Sequence, residues 1–150
     1  QRRLYRIPDH LPEAGTRYRD DFNKIMSGAH ESDPKTKPDD ATATSPAPDP
    51  AEQDRIDGMF RAHSLWDWTM ADSVARAIDN PDKPSHPVVL IVGKFHTDFD
   101  GGLAQALRAI RPGSRIFTVS LENRDVKPLA DEDRNTADAI VYIGADAETD

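Results

Sequence analysis

Apolar residues return at helical spacing in three stretches of this chain and gather in three short strand-like segments, of which Val88–Val92 is continuous. Tyr18, Phe22, Ile25, Met26 and Ala29 recur every three or four positions and predict a helix from Glu13 to about Ala29. Ile56, Met59, Phe60, His63, Trp66, Met70, Val74, Ala77 and Ile78 form a longer stripe, widened by Leu65 and Trp68. Its start is written in Asp49-Pro50-Ala51-Glu52, a capping box with proline at the first helical position. Pro81 ends the helix near Asn80, because proline cannot continue it. Val88–Val92 is an unbroken β-branched and aliphatic run. It predicts a strand buried on both faces, as in a parallel sheet covered by helices. Leu103–Ile110 is a short helix stopped by Arg111-Pro112-Gly113, and Ile116–Leu121 and Ala139–Ile143 are further strands.

The order helix, strand, helix, strand, loop, strand is α/β, with the first two strands in a right-handed parallel βαβ unit. Three strands are few for an open sheet. The expected architecture is an incomplete domain: a mainly parallel sheet with flanking helices and a helical subregion over 14–80, lacking early strands or pairing with another copy. Between the two helices, "ESDPKTKPDDATATSPAPDP" (31–50) holds five prolines and no aromatic or large aliphatic residue. Such a segment cannot offset its ordering entropy by burial, and it is expected to be a disordered insertion.

Composition narrows the function. The formal net charge of -8 argues against nucleic acid or an anionic membrane as partner. Without cysteine there is no disulfide, thiolate metal site or cysteine nucleophile. No glycine-rich phosphate loop follows a strand, and no glycine elbow surrounds the serine of "TVSLEN".

Candidate chemistry gathers where the first strand ends, at "GKFHTDFDGG" (93–102). Ligands of open α/β sheets sit beyond the carboxyl ends of strands. Gly93 lets the chain turn, His96 projects over the sheet end, Asp98 and Asp100 can cap the following helix, and Gly101-Gly102 permit close approach. Alternatively, His96 bonds a loop carbonyl and the glycines only serve a turn. On the long helix, His63, Asp67 and Met70 share one face. The His–Asp pair can hold a metal, can orient an imidazole, or can be the polar border of a core helix. Trp66 and Trp68 are core residues or the lining of an apolar pocket. His30 ends the first helix, where an imidazole complements the dipole. The acids from Asp125 to Asp138 read as a solvated connection.

Two segments taken together, "MFRAHSLWDWTMADSVARAI" (59–78) and "VVLIVGKFHTDFDGG" (88–102), resemble the ChaN-type haem-binding lipoprotein family, within the wider erythromycin-esterase/TraB/Tiki-like superfamily. Ala62, Trp66, Asp67, Met70 and Ala71 match its helix pattern, Gly93 and His96 its G-x-x-H strand end, and Gly101 or Gly102 the glycine that follows. His30 matches a histidine of the preceding helix. His63 stands where the pattern has glutamine, and the early G-E-x-H strand is absent from this sequence, so the chain is expected to be the carboxy-terminal part of such a domain. The resemblance implies haem bound through a tyrosine to iron, with Tyr18 preferred over Tyr142 and His96 beside it as ligand. His30, His63, Trp66, Asp67, Met70 and Gly93 would line the site. It also implies a homodimer, a bacterial cell-envelope location, periplasmic or lipid-anchored in the outer membrane, and a role in iron uptake or handling without catalysis. The wider superfamily implies an alternative, a metal- or His/Glu-dependent hydrolase with His96 as base or ligand. A binding or scaffold module with a vestigial site is the third reading.

Overall fold

The structure, a computed structural model, describes residues 6–9, 11, 15–27, 49–82, 87–125 and 128–144. His30 and residues 31–48 of the expected insertion lie outside the described residues. Among the described residues the regular elements are three α-helices and one two-stranded parallel sheet, compatible with an α/β class.

Helix α1 spans Thr16–Met26 and α2 spans Pro50–Ile78. The start of α2 is half a capping box. Asp49 Oδ1 accepts from the Ala51 amide at 3.3 Å, whereas Glu52 is taken by the Arg55 guanidinium, with Nε at 2.9 Å. The buried face of α2 is Ile56, Phe60, Ser64, Asp67, Ala71, Asp72 and Ala75. It shares Ile56 and Phe60 with the predicted stripe but departs from it elsewhere: Trp66 is 64% exposed, and Met59, Leu65 and Ala77 also face outward.

The reason lies in what covers each half of the helix. Its first half packs Ile56 and Phe60 against Tyr18 and Phe22 of α1, with Met26 and Phe95 at the margin. Its second half meets α3, Gly102–Ile110, where Ala71 and Ala75 lie against Leu103, Ala106 and Leu107. Alanines in contact let two helix backbones approach closely, and a scale that ranks residues by size places such a seam off-centre. Met70, Trp68 and Val74 pack around this second cluster.

The sheet is smaller than expected. Strand β1, Val119–Glu122, pairs in parallel with β2, Ala139–Tyr142, from Val119 opposite Ala139 to Glu122 opposite Tyr142. The expected first strand, Val88–Val92, forms no ladder among the described residues and is not buried on two faces. Val89 is 81% and Ile91 93% exposed, and only Val92 reaches the α2–α3 core. An apolar run reports a capacity for burial; a ladder also requires a neighbouring strand. Phe117, Val119, Leu121, Val141 and Ile143 are likewise exposed.

The acids between the strands are not all solvated. Asp133 is buried, accepts from the Tyr142 hydroxyl at 2.6 Å and is paired with the Arg124 guanidinium. Asp72, wholly buried on α2, is held by Arg6 Nε at 2.8 Å and Arg76 Nε at 2.6 Å. Burial pushes its carboxyl pKa up, but the two guanidinium bonds outweigh that and hold it below the usual carboxylate value.

Candidate functional site

The turn that leaves Val92 tightens into a single 3-10 turn, Lys94–His96, and points the His96 ring at α2. His96 Nδ1 lies 2.6 Å from Asp67 Oδ1. An ionised carboxylate only accepts, so Nδ1 carries the proton and Nε2 is left with its lone pair in the neutral ring. The second carboxylate oxygen of Asp67 accepts from the Tyr18 hydroxyl, also at 2.6 Å. Asp67 is 1% exposed, and its ring partners come from α1 and from the 93–102 loop, regions far apart in sequence. Burial, and then the Asp67 carboxylate, push the Tyr18 phenol well above its ordinary pKa. The phenol is therefore a hydrogen-bond donor to Asp67 in this arrangement, and a phenolate would first have to give up that bond.

His63 completes the group. Its ring stacks on His96, centroids 4.4 Å apart and planes 7° from parallel. His63 Nε2 is buried and has no hydrogen-bond partner. Burial, opposed by Asp67 and aided by His96, lowers the His63 pKa and keeps the ring neutral. Aromatic rings close the inner side: Phe95 lies 5.3 Å from His63 and stacks on Tyr18 at 5.1 Å, and Phe22 lies 5.5 Å from His63. Trp66 lies 6.3 Å from His63 and stays open to solvent.

The glycines divide sharply. A Cβ on Gly102 would stand 2.2 Å from Asp67 Oδ2 and 2.6 Å from Tyr18 Cε1, so this position is glycine to make room for the Tyr18–Asp67 bond. A Cβ on Gly101 would meet the His96 carbonyl oxygen at 2.4 Å. Gly93 needs no such freedom: its φ of -60° and ψ of 134° suit any residue, and a Cβ there would only touch His96 at 3.9 Å. Asp98 and Asp100 do not cap α3, whose N-cap is Gly101. Asp98 accepts from Ser120 Oγ at 3.3 Å, and Asp100 is paired with the Arg108 guanidinium.

Of the expected site residues, the structure thus brings Tyr18, His63, Asp67 and His96 into one cluster, with Trp66 at its rim. Met70 packs in the α2–α3 core instead. Tyr142, less favoured as a ligand, is bonded to Asp133. The sequence reading passed over Phe22, Phe60 and Phe95 as a shell around the site; the signal for Phe95 was its place directly before His96. A separate cleft of about 300 Å³ beside the 97–100 turn is lined by Thr97, Asp100, Arg108, Thr118 and Asp138. Asp100 and Arg108 pair with each other there, and Asp138 accepts from Thr118.

The donor chemistry of the cluster suits iron: an imidazole whose Nδ1 is held by a buried carboxylate, and a second buried ring nitrogen without a partner. A family model described as "Haem-binding uptake, Tiki superfamily, ChaN" matches residues 1–107. No curated protein and no solved structure matches the chain.

Proposed function

Since the chain belongs to the ChaN family of haem-binding uptake proteins in the Tiki superfamily, we propose that it binds haem or a related iron complex, as a carrier in iron uptake or handling. The observation that carries this reading is the His96–Asp67 bond. It fixes the tautomer of His96 and directs Nε2 away from the carboxylate, the arrangement in which that nitrogen would hold iron. Bound haem would supply a ferric or ferrous centre, which His96 would hold. Tyr18 orients Asp67 through its hydroxyl, and Gly102 leaves the space for that bond. The exposed indole of Trp66 offers an apolar platform to a macrocycle at the rim. Tyr18 acts as a direct ligand only in a state where it has left Asp67.

Haemin titration tests this. The wild type is expected to give a shifted Soret band. His96→Ala is expected to lose it, Trp66→Ala to weaken it with little change in stability, and Tyr18→Phe to keep an iron spectrum of the same ligand type. No Soret shift in the wild type would end the reading. A homodimer and a cell-envelope location belong to the same proposal. No helix among the described residues is long and apolar enough to cross a membrane.

The same bond also favours a second reading, in which His96, oriented by Asp67, is the general base of a hydrolase. Turnover of ester or peptide substrates that is lost in His96→Ala, with no haemin bound, would favour it over the carrier.

A further inference from the structure

We infer that the cleft beside the 97–100 turn binds a small polyhydroxylated ligand, a monosaccharide or cyclic polyol, through its hydroxyl groups. At about 300 Å³ the cleft stands at the small end of ligand pockets, which suits a single sugar ring and excludes a macrocycle. It gathers polar side chains from separate stretches of the chain. Asp100 comes from the turn, Arg108 from α3, Thr118 from the residue before β1, and Asn135, Thr136 and Asp138 from the loop that enters β2.

Strained backbone holds these groups in place. Phe99, Asp100 and Asn135 have φ of 52°, 63° and 64°, a region that a bulky residue such as phenylalanine rarely enters. The turn is pinned there from three directions. The Phe99 amide donates to the Thr136 carbonyl at 2.7 Å, Gln105 Nε2 donates to the Asp100 carbonyl at 2.6 Å, and the Arg17 guanidinium lies 3.4 Å over the Phe99 ring. Strain persists only where the surroundings over-determine it, and it gathers at ligand sites. Asp138 is fixed as well: its Oδ2 accepts from the Thr118 amide at 2.7 Å and hydroxyl at 2.9 Å, and its own amide donates back to that hydroxyl at 3.0 Å. These bonds hold its carboxyl below the usual carboxylate value, so it is an ionised acceptor.

The atoms left over decide the ligand. Asp100 is paired with Arg108 through Oδ1, and Asp138 is bonded through Oδ2, so each keeps its second oxygen. Among the described residues the Asn135 carboxamide and the Thr136 hydroxyl have no hydrogen-bond partner. The carboxylates only accept, the guanidinium only donates, and the amide and hydroxyl do both. A hydroxyl meets every one of these, donating to Asp100 and Asp138 and accepting from Arg108 and Asn135. An ammonium only donates and would meet Arg108 as a like charge. A phosphate only accepts and would meet two carboxylates as like charges.

The cleft takes no side chain from the Tyr18, His63, Asp67 and His96 cluster, so it stands or falls independently of the haem reading. To test it, the full chain is labelled with nitrogen-15 and titrated with D-glucose, D-mannose, N-acetyl-D-glucosamine and myo-inositol, followed by amide shifts. At least one of the four is expected to move the amides of 97–100 and 135–138 saturably and few others. Asn135→Gly removes the carboxamide and leaves a residue at ease with positive φ. Asp100→Asn keeps a residue that tolerates that φ and replaces a pure acceptor by an amide. Each is expected to weaken binding of that probe about tenfold or more, with circular dichroism verifying the fold. Spermidine and sulfate are expected to leave the same amides unmoved. The inference is overturned if none of the four probes moves these amides, if both folded variants bind as wild type does, or if spermidine or sulfate binds there more tightly than every sugar. Haemin is titrated separately, and its Soret band is expected to be the same in Asn135→Gly and wild type whatever the sugars do.

Discussion

A methyl group at position 102 would occupy the space of the Asp67 carboxylate and the Tyr18 ring edge. Gly102→Ala is therefore expected to cost about 1–3 kcal/mol by overpacking, read as a fall in the urea midpoint. Gly93→Ala, where the added Cβ finds only ordinary contact, should stay within about 0.5 kcal/mol. Tyr18→Phe leaves one buried oxygen of Asp67 without its donor and should cost about 1–3 kcal/mol in the same measurement. Much at this scale was legible in the sequence. His63 and Asp67 stand four apart on one helix, and His96 follows an apolar run. The Tyr18–Asp67 bond was not legible, because helical spacing tells which face a residue occupies and not which atom it meets. The glycine pair announced a close approach; that a carboxylate makes the approach could come only from the fold.

Elements were predicted better than their faces. All three helices were expected, with ends within a few residues of those observed, and α2 starts at Pro50 as its proline and Asp49 cap indicate. The buried face of α2 was misread because Ala71 and Ala75 carry little hydrophobic weight yet sit at the closest contact with α3. Ala75→Leu is thus expected to cost about 1–3 kcal/mol, seen as a lowered thermal midpoint. The same helix carries a pH-dependent contribution. Asp72 has its folded pKa held below the unfolded value by Arg6 and Arg76. Its stabilising contribution is present above the unfolded pKa and is lost as pH falls through the folded one. Asp72→Asn should therefore unfold at lower urea than wild type near neutral pH, and the gap should narrow as the pH is taken down to about 3.

At the scale of the molecule, the sheet is where expectation and structure part. Val88–Val92 reads as the centre of a sheet, yet among the described residues nothing pairs with it. Phe117, Val119, Leu121, Val141 and Ile143 add further uncovered apolar surface. Pattern alone predicts what a strand can bury and is silent on whether a neighbour is there to bury it. Exposed apolar surface drives association, so light scattering is expected to report concentration-dependent assembly. Ile91→Lys should reduce it at no cost to the urea midpoint, since that side chain is 93% exposed. Extended backbone with unsatisfied amides and carbonyls is also a template for any strand that meets it. In handling, then, concentrated solutions should turn cloudy at temperatures where dilute ones stay clear.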